Sequence, residues 1–235
     1  FTGRLMVVTR QSDPSGLMVA RAGVRAHRRR CFFGTLGPEC KQEAEMARPM
    51  EFDRGEAVAR AVDVFWDHGY GTISASDLAN DMGIAKSSLY NTFGSKLELL
   101  HEAIAFYTHL RTVALRRVAG GGNVLAELRK LLLDIAKNND DGKGCLLVNT
   151  AVELGKHDAD VARVTRAGFN AMAATFEALI VEGQRAGQIN GELRAADRAL
   201  TLVAAIAGLR VLVQTGFTSK QLKPYVDTIL SGMIP

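Results

Sequence analysis

Six residues between positions 86 and 92 end in hydrogen-bond donors: Lys86, Ser87, Ser88, Tyr90, Asn91 and Thr92. Leu89 interrupts them, and Ile84 and Phe93 flank them. At 3.6 residues per turn the spacing predicts a short helix over 86–92, held from behind by Ile84, Leu89 and Phe93, with the donors outward. Backbone amides and hydroxyls on such a helix can bond phosphate oxygens, and a few side chains can bond base edges. The alternative for any polar face is plain solvation. Against it stand the aromatic ring of Tyr90 and the placement of Lys86 and Lys96, the only lysines in 50–96, which bracket the face. These residues point to a contact with double-stranded DNA.

Other chemistry is scarce. There is no glycine-rich nucleotide loop after a strand, and no paired nucleophile and base, so an enzyme is not expected and no cofactor is called for. His101 and His109 are eight residues apart. On one helix that is a rise of about 12 Å, too far to share a metal. His157 with Asp158 and Asp160 reads as a helix start rather than a ligand set, so no metal site is expected. Cys31, Cys40 and Cys145 are an odd number with no framework spacing, which fits free thiols in a reducing cytoplasm. Cys145 opens a helix close to Lys143, and a thiolate is favoured at such a place. It reads either as a sensor of oxidants or electrophiles or as a small apolar residue lining a bundle.

A helix of two turns needs other elements to position it. A partner helix is expected over 76–82, capped by Ser74 with Asp77 three residues on. Leu78 and Met82 point to a core, Ala79 lets a neighbour approach, and Gly83 supplies the sharp turn. Ser74 and Ser76 lie at the start of this helix, beside the donor face. The pair has helix-turn-helix spacing, which suits a major groove. Before it, Val58, Ala61, Val62 and Phe65 recur at i, i+3, i+4 and i+7, giving a helix over 53–68 that Gly69 ends. After it, helices are expected over 95–118, 124–138, 145–155, 158–186, 197–214 and 219–233. Alternating β-branched runs are scarce, so the fold class is all-α. The longest uncharged apolar run, 199–209, is too short to span a bilayer, and no membrane partner is expected.

The formal net charge of +4 is unevenly placed. Residues 1–49 carry +5, residues 50–96 carry −3 and residues 97–235 carry +2. Bulk positive charge therefore cannot bind the donor face to DNA, and the contact must be local. Residues 1–49 lack any helical or strand period and cluster Arg25, Arg28, Arg29 and Arg30 around His27. They read as a basic leader, disordered or lying upstream of a true start at Met46 or Met50, or as an arm that tracks phosphates. Three parts follow: the leader over 1–49, a DNA-binding unit over 50–96, and a ligand-binding and dimerisation bundle over 97–235.

From residue 53 to 107 the chain resembles the DNA-binding domain of the TetR/AcrR family of bacterial transcriptional regulators. The resemblance rests on the apolar first helix ending in His68-Gly69-Tyr70, then Ser74, Leu78-Ala79, Met82-Gly83-Ile84, Ser88-Leu89-Tyr90, Phe93 and Lys96. It implies that Ser88, Tyr90 and Lys96 bind phosphate and that Ser76, Lys86, Ser87, Asn91 and Thr92 touch bases. One departure is Ala85, where the family often has a capping serine or threonine. The resemblance further implies a homodimer through the last two helices, with Leu202, Ala205, Leu209 and Val213 at the interface. It also implies an effector pocket within the bundle, for which Phe106, Cys145, Asn149, Phe169, Met172 and Phe176 are candidates. By spacing alone the aromatic and methionine positions read as core. The expected protein is a cytoplasmic repressor that leaves a palindromic operator when a small molecule binds, or, if Cys145 senses, a thiol-switched one.

Overall fold

The computed structural model describes residues 52–118, 122–137 and 142–235. Among them lie the helices α1 (Arg54–His68), α2 (Ala75–Met82), α3 (Lys86–Phe93), α4 (Lys96–Val118), α5 (Val124–Ala136), α6 (Leu146–Leu154), α7 (Ala159–Arg185), α8 (Ala195–Gln214) and α9 (Ser219–Ser231), with no strand. The basic leader over 1–49 lies outside the described residues.

Local chemistry sets most helix starts. Asp53 accepts from the Glu56 N–H at 2.9 Å, Ser95 from Glu98 at 3.0 Å, Asn123 from Ala126 at 2.9 Å and Asp158 from Val161 at 2.9 Å. Thr218 and Gln221 form a reciprocal capping box at α9. α8 starts two residues before the Asp197 expected from sequence. Asp197 sits instead in the first turn, where its carboxylate takes both the Nε and Nη2 donors of Arg194 at 2.8 Å. The carboxylate also suits the positive end of the helix dipole.

Two apolar clusters hold the helices. The first gathers Phe65, Leu78, Met82, Leu89, Leu100 and Ile104 from α1 to α4 and reaches Cys145, Leu146, Leu147 and Val161. The second joins α5, α7, α8 and α9 around Leu128, Leu132, Phe176, Ile180, Leu202 and Leu209. Phe169 and Met172 of α7 pack against both. Each fully buried side chain of this size contributes about 1.5–3 kcal/mol. α4 packs on α1 at one end and on α7 at the other, so it runs from the first cluster to the second.

The expected dimer residues are placed differently from the sequence reading. Leu202 and Leu209 are fully buried within the protomer, and Ala205 and Val213 are nearly so. The side of α8 that faces outward carries Leu200, 63% exposed, Ala204, and Val211, 44% exposed. The reason is physical: between 199 and 209 α8 is apolar on nearly every side, so its periodicity could not tell the inward face from the outward one.

Candidate nucleic-acid interface

α2 ends at Gly83, which adopts left-handed φ 69° and ψ 32° and donates its N–H to the carbonyls of Ala79 and Asn80. That turn sets α3 across α2. Leu89 and Phe93 are buried in the first cluster with Ile84 packed beside them. On the opposite side Lys86, Ser87, Tyr90 and Asn91 stand exposed, with Ser76, Ser88 and Thr92 half-buried at the margin. Tyr90 is 43% exposed. The donor face expected from the sequence thus exists as one surface. Ala85 occupies the N-cap of α3 with φ −67° and ψ 144° and makes no side-chain capping bond.

Ser74 and Lys96 are committed to the protein itself. The Ser74 hydroxyl accepts the Asp77 N–H and donates to Asp77 Oδ2 at 2.6 Å, so it acts as a cap. Lys96 Nζ donates to the carbonyls of Tyr70, at 2.5 Å, and Ile73. It also stands 4.1 Å from the centroid of the Tyr70 ring. Partial burial pulls the Lys96 ammonium below the usual lysine range, and the nearby Glu153 carboxylate pulls it back up. The resemblance implies a phosphate contact at Lys96; in the structure Lys96 also braces the α1–α2 turn, with one N–H of three left over.

Arg54 and Arg60 of this unit are also engaged. Arg54 pairs with Glu102 at 2.6 Å and lies over Phe93. Arg60 donates to the Met82 carbonyl at 2.9 Å, satisfying the end of α2. Up to Lys96, Lys86 is the one described basic side chain with no partner among the described residues. The braces at Arg60 and Lys96 were invisible in the sequence, because they bond carbonyls that only the folded turn presents.

Further along, Cys145, Phe169, Met172 and Phe176 do come together, joined by Val148, Val203, Ile206 and Ala207 around an apolar cavity. Its volume is about 10 Å³, roughly room for one water. Phe106 and Asn149 are not in its lining; Asn149 Nδ2 instead donates to the Lys143 carbonyl at 3.0 Å. The Tyr107 hydroxyl donates to Cys145 Sγ at 3.6 Å, and burial pushes the Tyr107 phenol far up, so the donor keeps its proton. A wider groove of about 480 Å³ lies between α4 and α7, bounded by Thr112, Arg116, Thr175 and Glu182. Ala171, Ala174 and Ala178 of α7 also line it, and residues so small carry no sequence signal for a groove.

Known proteins share this fold. The model of bacterial regulatory proteins of the tetR family matches residues 57–103, and that of the tetracyclin repressor-like C-terminal domain matches residues 123–227. The chain is 30% identical over 151 residues to the uncharacterized HTH-type transcriptional regulator YezE of Bacillus subtilis (strain 168), covering 63% of this chain and 78% of that protein. It is 24% identical to the HTH-type transcriptional repressor ComR of Escherichia coli (strain K12), covering 83% of this chain and 95% of that protein. A solved structure of the TetR family transcriptional regulator CifR, a cysteine mutant complexed with 26-bp double-strand operator DNA, superposes with a TM-score of 0.68. It has 28% sequence identity, over 78% of this chain and 98% of that one. This chain belongs to the TetR family of bacterial regulatory proteins and is a DNA-binding transcriptional regulator.

Proposed function

We propose that the protein is a homodimeric repressor that holds a palindromic operator with α3 of each protomer in a major groove and leaves it when a small molecule enters the bundle. The observation that carries this is the outward face of α3, where Lys86, Ser87, Tyr90 and Asn91 are exposed together on a helix anchored by buried Leu89 and Phe93. Lys86, Ser88, Tyr90 and the spare N–H of Lys96 fit phosphate oxygens; Ser76, Ser87, Asn91 and Thr92 fit base edges. Two such helices must stand about 34–36 Å apart to meet successive grooves. The outward face of α8, with Leu200, Ala204 and Val211, supports the pairing. The naming of ComR as a repressor and the operator complex of CifR support the reading.

The cavity around Cys145, Phe169, Met172 and Phe176 is the effector site in this reading. Ligand pockets for drug-sized molecules hold about 300–1,000 Å³, so an effector must part Met172 and Phe169 to enter. These two residues bridge both apolar clusters, so their repacking bears on α4 and through it on α3. Selection of DNA by the full chain from a random pool tests the function. A twofold-symmetric site should be enriched; enrichment of no sequence would refute it.

A second reading gives the signal to the Cys145 thiol. It lines the same cavity and touches Tyr107 of α4, so an oxidised or alkylated sulfur would displace that helix. Release of the selected DNA by a peroxide or electrophile, abolished in Cys145→Ser, would favour it.

A further inference from the structure

Glu153 lies in the last turn of α6, yet its carboxylate is bound to the turn between α1 and α2. Oε2 accepts the Tyr70 N–H at 3.0 Å and Oε1 accepts the Gly71 N–H at 2.5 Å. Both oxygens therefore hold backbone of the DNA-reading unit across more than 80 residues of chain. The turn is shaped to receive them. A Cβ on Gly71 would come within 2.9 Å of Oε1, and one on Gly69 within 3.2 Å of Oε2. Gly69 needs to be glycine for its φ of +76° as well. Gly71 has no positive φ, so its bare Cα answers only to the approach of the carboxylate.

The same turn is braced from the other side. Lys96 at the start of α4 holds the carbonyls of Tyr70 and Ile73, while Glu153 holds the amides of Tyr70 and Gly71. The segment leading into α6 makes a second attachment, with Lys143 paired to Asp67 of α1 at 2.7 Å. α6 is thus fixed to the end of α1 at two places, about a helix length apart along its own chain.

We infer that Glu153 is a positioning residue for DNA recognition: its carboxylate locks the α1–α2 turn to α6 and so sets the tilt of α3 against the body of the protomer. The inference rests on the dimeric DNA-binding reading above. In a two-fold dimer a change of tilt moves the two recognition helices oppositely, which alters the half-site separation the pair can span. Loss of the lock should blur that separation rather than remove the contacts that read it.

The test uses the full chain and the DNA that the wild type selects from a random pool. Affinities are measured for that site and for versions with one base pair added or removed between half-sites. Glu153→Ala should lower affinity for the selected site by about tenfold, the scale of a charge-assisted hydrogen bond. It should also narrow the gap to the altered spacings. Its Tm should fall by no more than about 2–4 °C. Glu153→Gln, which keeps one carbonyl acceptor, should lie between. Gly71→Ala, which leaves Glu153 in place but crowds it out, should reproduce the pattern, and the double variant should add nothing further. An unchanged spacing preference in Glu153→Ala would overturn the inference, as would a parallel loss at every spacing together with a large fall in Tm. If the wild type itself enriches no symmetric site, the DNA reading fails first and takes this inference with it.

Discussion

The guanidinium of Arg210, on α8, donates Nη1 to the carbonyl of Gly144 at 2.9 Å, across 66 residues of chain. Gly144 is buried and precedes Cys145 of the cavity; Lys143 before it pairs with Asp67 of α1. One short segment therefore joins the outward-facing helix, the cavity and the DNA-reading unit. Arg210→Ala leaves a buried carbonyl without this donor and should cost about 1–3 kcal/mol. Urea unfolding checks this: the midpoint should fall with the slope unchanged. Arg210→Lys should recover part of the loss, since lysine keeps a donor but not the fork. An unchanged midpoint in Arg210→Ala would contradict the assignment.

Ala85 holds the backbone shape of an N-cap without the side chain that would complete it. Ala85→Ser should supply the missing acceptor to the first turn of α3 and stabilise the protein by about 1 kcal/mol. Thermal unfolding should register this as a higher Tm. A lower Tm would mean that the first-turn N–H groups already have partners.

The two sides of α8 should respond oppositely to substitution. Leu202→Ala removes a fully buried side chain of the second cluster and should cost about 2–5 kcal/mol of stability. Leu200→Glu or Val211→Glu, on the exposed side, should leave each protomer folded and separate the proposed dimer. Sedimentation and circular dichroism distinguish the two. A dimer that survived both exposed-side substitutions would place the interface elsewhere.

Much of the fold was legible in the sequence because helix caps and apolar periodicity are local signals. Ser74, Asp158 and the turn glycine Gly83 act where their types predicted. The donor face of α3 was legible for the same reason: Leu89 and Phe93 fix which side turns inward. Two kinds of feature were not. On α8, apolar residues surround the helix, so no period separates core from surface. At Lys96 and Glu153 the partners are backbone groups of a distant turn, and a sequence carries no mark of which carbonyl or amide will need a charge. Gly71 was the nearest hint, a glycine without a conformational need.

DNA binding is assigned to α3, with Lys86 as a cation that has no partner among the described residues and Tyr90 as an exposed hydroxyl. Both side chains project outward without a described partner, so substituting them should leave stability within about 0.5 kcal/mol of wild type. The decisive measurement is the affinity of Lys86→Ala and Tyr90→Phe for the selected operator, over a range of salt concentrations. Lys86→Ala should weaken binding and lower the salt slope by about one. Tyr90→Phe should weaken binding by losing a hydrogen bond while keeping the slope. Wild-type affinity and slope in both variants would show that DNA is held by some other surface.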